Sequence, residues 1–454
     1  FATNLTINGT ANITSTWKVL FTKIEEVSKT SGVTITKVPT AEGTNATFNV
    51  DLKSPGDKII YKITVANQGT LDAIINDITA SETGSDAIKF EITGIKKGDK
   101  LAKSTTTTFN VTISYDESVT TQPKTTNNTL TVNINYVQDL GQTITGSDVV
   151  IEKPMPLVTK ILKDNNAQAD TNIDFSQISS DTNGKGLYYT STNTEDNKVT
   201  YYFRGAVENN YVSFANNTWR IVRINEDGNI RLIKQDSIGN SAFNIASDDN
   251  MYVGYMYGTA GSTTYEATHA NTNSSTIKIA LDTWYQNNLT SYSSLISDSG
   301  FCGDRSILGG TGIGIDDETV FGAYSRLYKN KTPQFKCPQT NDSYTTSTST
   351  KGNKALTYPV GLITADEVAY AGGVYGKADK NYLSNGGDSW TISPFLFIEF
   401  NAGIWKVSKG SYIYMDYVKV NGEFGVRPVI NLKSTVEITG GDGTSSNPYV
   451  IKIN

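Results

Sequence analysis

At 454 residues the chain is long enough for two or three domains, and its 37% hydrophobic content is carried to a large extent by 25 Tyr and 16 Phe. A net charge of −6 with no Lys/Arg cluster removes the electrostatic footprint that nucleic-acid binding requires, and no apolar run reaches the ~18 residues of a membrane span. Abundant Thr, Ser, Asn and Gly with a single His fit an all-β, extracellular, turn-rich protein better than a helical cytosolic enzyme.

The chain opens with a period-two stretch. Phe1, Thr3, Leu5, Ile7, Gly9, Ala11 and Ile13 share one largely apolar face, and Asn and Thr dominate the other. No tight turn follows, so two readings stand open: an edge strand of its own domain, or a strand donated to another copy of the chain. The start at Phe1 rather than Met is read as the mark of a removed signal peptide, which makes the protein secreted or surface-attached.

From residue 15 to about 140 a succession of strands is predicted: Thr16 to Ile24, Ala46 to Val50, Lys58 to Asn67, Leu71 to Ile78, then runs centred on Phe90, Val111 and Val132. Ile59, Tyr61, Ile63 and Val65 are expected on the core face of the third. Short alternating strands with turn signals and no helical period argue for an antiparallel sandwich. Residues 141 to 155, with Gly141, Gly146 and Pro154, read as a linker, and 156 to 454 as a separate α+β domain. In that domain a short helix is expected around Val158 to Lys163 and a hairpin joins Trp219 to Ile224 with Asn229 to Lys234. Helices are predicted from Ser275 to Leu289 and after the capping box Thr364-x-x-Glu367, and Gly425 to Ile430 is a buried strand with an embedded Arg427.

Residues with chemistry are few. His269 alone cannot supply a zinc-protease ligand set or a positioned base, so no catalytic residue is assigned and the chain is read as a non-enzyme. Asp248-Asp249-Asn250 and Asp316-Asp317-Glu318 offer oxygen ligands for Ca²⁺ or, equally open, solvated loops; no other cofactor is expected. Cys302 and Cys337 read as a disulfide in an oxidising compartment, or else as buried thiols.

Pro55-Gly56-Asp57, the strand Ile60 to Ala66, Asn67-Gln68-Gly69 and Leu71-Asp72-Ala73 resemble the signature of the TasA and camelysin family of secreted, biofilm-associated proteins. Over residues 1 to 140 the resemblance implies a jelly-roll that polymerises into a homopolymer by inserting an N-terminal donor strand into the next subunit. It assigns Phe1, Leu5, Ile7, Gly9, Ala11 and Ile13 to that strand. Trp219 to Ile224, Ser389 to Pro394 and Gly425 to Ile430 are similar to an uncharacterised Gram-positive surface domain, and their order is similar to a C-type-lectin-like scaffold. The resulting expectation is a filament subunit displaying its C-terminal domain. The alternative is a monomeric or wall-attached adhesin that binds a glycan or protein, and a secreted hydrolase is the weakest of the three.

Overall fold

A computed structural model describes residues 15–124, 126–146, 148–315, 318–378, 381–384, 387–408 and 416–453. The strand predicted over Phe1 to Ile13 lies outside the described residues. The protein is mainly β, with 40% strand and 14% helix in several largely antiparallel sheets and no barrel. It divides into two compact units between Pro154 and Met155.

In the first unit β1 (Val19–Lys29), β4 (Lys58–Asn67), β8 (Thr106–Tyr115) and β6 (Ile88–Thr93) form one sheet in the spatial order β1-β4-β8-β6. β2 (Val33–Glu42) and β3 (Asn45–Leu52) form a two-stranded ribbon. In the second sheet β5 (Ala73–Thr83) pairs along its length with β9 (Thr129–Gln138), and also with the two-residue strands β7 (Lys100–Leu101) and β10 (Ile151–Glu152). Residues from both sheets share one apolar core. β4 is central because its period-two pattern puts Ile59, Tyr61, Ile63 and Val65 inward, where all four are buried as expected.

The turns around β4 have local causes. Gly56 takes φ +92°, and Asp57 accepts the backbone N–H groups of Lys53 and Ser54 and the Thr30 hydroxyl, which locks the turn before the strand. After the strand, the Asn67 amide donates to Leu71 and Leu101 carbonyls while its oxygen accepts Gly69 N–H. A Cβ on Gly69 would lie 2.5 Å from the Thr16 carbonyl oxygen, so Asn-x-Gly is a packing requirement there.

Two sequence readings are corrected. The stretch 141 to 155 is not wholly a linker: Ile151–Glu152 pairs in parallel with β5, and Val149 and Ile151 pack on the first core. The first strand, read from Thr16, begins at Val19, and Trp17 before it is 46% exposed.

The second unit packs its elements around a larger core that includes Trp219, Trp390 and Trp405. The hairpin of Asn217–Ile224 and Ile230–Lys234 lies inside its main sheet, with Arg223 and Arg231 directly opposite each other. Helix Thr276–Asn288 is capped by Ser275, whose side chain accepts Lys278 N–H. Helix Ala365–Tyr370 carries the predicted capping box, and the helix read near residue 158 spans Leu157–Asp164. The ends of the unit meet in one sheet: Met155–Pro156 pairs with Glu437–Gly440, which pairs with Tyr449–Ile451, which pairs in parallel with Tyr211–Phe214.

Candidate functional site

Two features offer binding capacity, one in each unit. In the first unit β9 pairs with β5 on one edge, and among the described residues no strand pairs with the other edge. Its outer face is polar, with Thr129, Thr131, Asn133 and Asn135 exposed. The inner residues Leu130, Val132, Ile134 and Tyr136 pack against the core but stay only partly buried, unlike their counterparts on β4. The Tyr136 hydroxyl is buried without a hydrogen-bond partner, and burial pushes its pKa up to about 12. Phe48, Val50 and Leu52 of β3, which pairs only with β2, are in the same partly buried state. β6 and β1 are also sheet edges, but β6 has six residues where β9 has ten, and the eleven-residue β1 is bridged through Phe21 to Gly43.

In the second unit a cleft of about 870 Å³ opens over the tip of the 217–234 hairpin. Its floor is a buried charge cluster. Glu367 Oε1 accepts from Arg223 Nε at 2.9 Å, and Arg231 Nε lies 2.6 Å from the same oxygen as an ion contact not aligned as a hydrogen bond. Glu367 Oε2 accepts Thr364 N–H at 2.9 Å, so one carboxylate closes the capping box and neutralises two strands. Burial alone would raise the pKa of Glu367, but the two guanidiniums outweigh it and hold the carboxyl below its ordinary value. Burial takes Arg231 down to about 10, against the pull of Glu367. Beside them Arg326 forms a bidentate pair with Asp366, both contacts at 2.9 Å, and reaches Asp304 at 2.7 Å.

The walls come from distant parts of the chain. Phe301 and Phe335 line the cleft, with Arg231 over the first ring and Arg223 over the second. Cys302 and Cys337 also line it and are joined by the disulfide anticipated from sequence. The bridge fastens the 331–340 wall, where Cys337 N–H donates to Glu195 Oε1 at 2.7 Å, to the strand Phe301–Cys302. With 35 residues of separation, the closed loop corresponds to about 3 to 4 kcal/mol of denatured-state constraint. Replacing both cysteines by Ala is therefore expected to lower the unfolding free energy of the second unit by about that amount. Urea titration is the check, and an unchanged midpoint would count against it.

His269 is fully buried, packed on Tyr265 with ring centroids 4.4 Å apart and bonded through Nε2 to the Gly312 carbonyl at 3.1 Å. Burial, reinforced by Arg305, pushes its pKa down to about 3. Below the ordinary histidine value of 6.5 the unfolded chain takes up a proton that the folded chain refuses, so this residue's contribution to stability is complete above pH 6.5 and is lost as pH falls toward 3. As the sole histidine it gives a single set of imidazole resonances, which should not titrate between pH 7 and 4; a midpoint near 6.5 would contradict the burial.

Of the two acidic clusters, Asp316 and Asp317 lie outside the described residues. Asp249 accepts Met251 N–H with one oxygen and Gly261 N–H with the other, and Asn250 donates to the Gly314 carbonyl, so both serve loop geometry. Among the described residues no group of three or more His, Cys, Asp or Glu could hold a metal ion, and no helix is long and apolar enough to cross a membrane.

The cleft was not visible in the sequence as a site. The available signal was Arg223 and Arg231 breaking otherwise apolar strands, the same sign that drew attention to Arg427. No family model, curated protein or solved structure matches the chain.

Proposed function

We propose that this protein is the repeating subunit of an extracellular bacterial filament, secreted, non-enzymatic and assembled by donor-strand exchange into a jelly-roll first unit, with the second unit carried as cargo. The observation that supports this most is the ten-residue edge of β9, unpaired among the described residues, over partly buried Leu130, Val132, Ile134 and Tyr136. A long edge strand of this kind is a template for another chain. The Phe1 to Ile13 pattern supplies a strand of matching length, with Phe1, Leu5, Ile7 and Ile13 to cover that core and Gly9 and Ala11 where the groove is narrow. Negative-stain electron microscopy of the purified protein tests it: filaments of uniform width are expected, and a field of discrete particles under all assembly conditions would defeat the proposal.

A second reading, a surface adhesin binding a glycan or protein, is favoured by the polar cleft of the second unit. This reading takes the protein as monomeric or wall-attached, and it draws on a different unit of the chain from the filament reading.

A further inference from the structure

We infer that the cleft of the second unit binds a neutral, polyhydroxylated ligand, an uncharged oligosaccharide, held by hydrogen bonds rather than by ring stacking. The inference deepens the adhesin reading and rests on the cleft being a ligand site; it is independent of filament assembly.

The lining decides the chemistry. Eight carboxylates and six cationic side chains share the surface, so an anion or a cation of any size meets like charge on one part of it. Much of that charge is already committed in pairs, Glu367 with Arg223 and Arg231, and Arg326 with Asp304 and Asp366. These pairs hold their donors and acceptors in fixed positions. An apolar ligand finds little to bury against, because the aromatic lining residues Phe301 and Phe335 are themselves 1% and 7% exposed. Hydroxyl groups donate and accept at once, which suits a wall of alternating carboxylates, guanidiniums, Ser and Thr. The volume lies in the range of small-molecule sites.

Two lining groups ask for such a partner. Asn225 is 4% exposed, and its amide nitrogen donates to Asn431 Oδ1 at 3.0 Å while its oxygen has no partner. Whichever way the amide is turned, Asn431 satisfies only one side of it, and a ligand hydroxyl can serve the other as donor or as acceptor. Asp298 accepts Thr346 N–H and hydroxyl through Oδ2, both at 2.9 Å, and Ser349 lies close enough to favour the charged carboxylate, while the buried Oδ1 has no well-aligned hydrogen bond among the described residues. An unpaired buried acceptor is costly, and a hydroxyl donor removes that cost.

Isothermal titration calorimetry on the full chain tests the inference with four probes: maltotriose, triacetylchitotriose, trigalacturonate and trilysine. At least one neutral trisaccharide is expected to bind with one-to-one stoichiometry. Asp298→Asn keeps an oxygen for Thr346 but replaces a charged acceptor by a neutral amide, so the hydroxyl loses a charge-assisted bond and binding should weaken about tenfold at an unchanged melting temperature. Lys433→Ala, an exposed change outside the cleft, should leave it within about twofold. Binding of a charged probe but of neither neutral one would overturn the inference and keep the cleft as a ligand site. Failure of all four would also overturn it, as would neutral binding that Asp298→Asn left unchanged.

Discussion

A chain lacking Phe1 to Ile13 is expected to fold and to remain monomeric under conditions where the intact chain forms filaments. Each of the two sheets already shares the first core with the other, so the fold does not depend on the missing strand; what is lost is the cover over Leu130, Val132, Ile134 and Tyr136. In the proposed polymer Phe1, Leu5, Ile7 and Ile13 provide that cover, at roughly 1.5 to 3 kcal/mol per side chain as an upper range. A one-residue slip would turn the Asn and Thr face inward and leave polar groups unpaired, so a single register is selected. A synthetic peptide of residues 1 to 13 should bind the truncated protein and raise its melting temperature in a dose-dependent way, whereas the Ile7→Asp peptide should not. Filaments of unchanged width from the truncated chain would falsify donation and leave Phe1 to Ile13 as an ordinary edge strand.

Removing the Glu367 carboxylate should give one of the large losses of stability available to a single change in the second unit. Glu367→Ala strands two arginines, one of them 1% exposed, beside each other with no shared counter-charge. Breaking a buried ion pair by removing one partner costs on the order of 3 to 5 kcal/mol. Loss of the reciprocal cap adds to that, yet Thr364→Ala, which removes only the cap, is expected to cost about 1 kcal/mol. The difference between the two variants in urea melts therefore reads the charge effect. A triple change, Glu367→Leu with Arg223→Met and Arg231→Met, should recover much of the loss, because it removes the buried charges together and leaves only the less buried Glu226 without its Arg223 partner. Equal melting of Glu367→Ala and Thr364→Ala would show that the cluster contributes little. The pH response has a definite sign: the folded carboxyl is held below its ordinary value, so its contribution is complete above the usual glutamate range and disappears as pH falls through the depressed value.

The parts of the fold that could be read from sequence are those whose cause is local. β4 follows from strict alternation, the turns around it from Asp57 and Asn67, and the helix Ala365–Tyr370 from Thr364 and Glu367. β2 was not read because Pro39 sits inside it and Val38 is 78% exposed. The ribbon tolerates both because the register shifts between Lys37 and Thr40, where the ladder is interrupted and a missing N–H does no harm. β10 is two residues long and has no pattern to detect. The cleft was hidden for another reason. Arg223 and Glu367 are 144 residues apart, and the capping box gave Glu367 a sufficient local explanation that concealed its second role.

The strand ladder that joins Met155–Pro156, Glu437–Gly440, Tyr449–Ile451 and Tyr211–Phe214 has a consequence for the timing of folding. Met155–Pro156 and Tyr449–Ile451 belong to opposite ends of the unit's sequence, and the later of the two is the strand that bridges to Tyr211–Phe214. Until Ile451 has emerged, that edge of the main sheet has no partner among the described strands, and Met155–Pro156 can pair only with Glu437–Gly440. The second unit therefore cannot complete its sheet progressively during synthesis. It closes in one late step, and a chain truncated before Tyr449 should keep Met155–Pro156 paired with Glu437–Gly440 but leave that pair detached from Tyr211–Phe214.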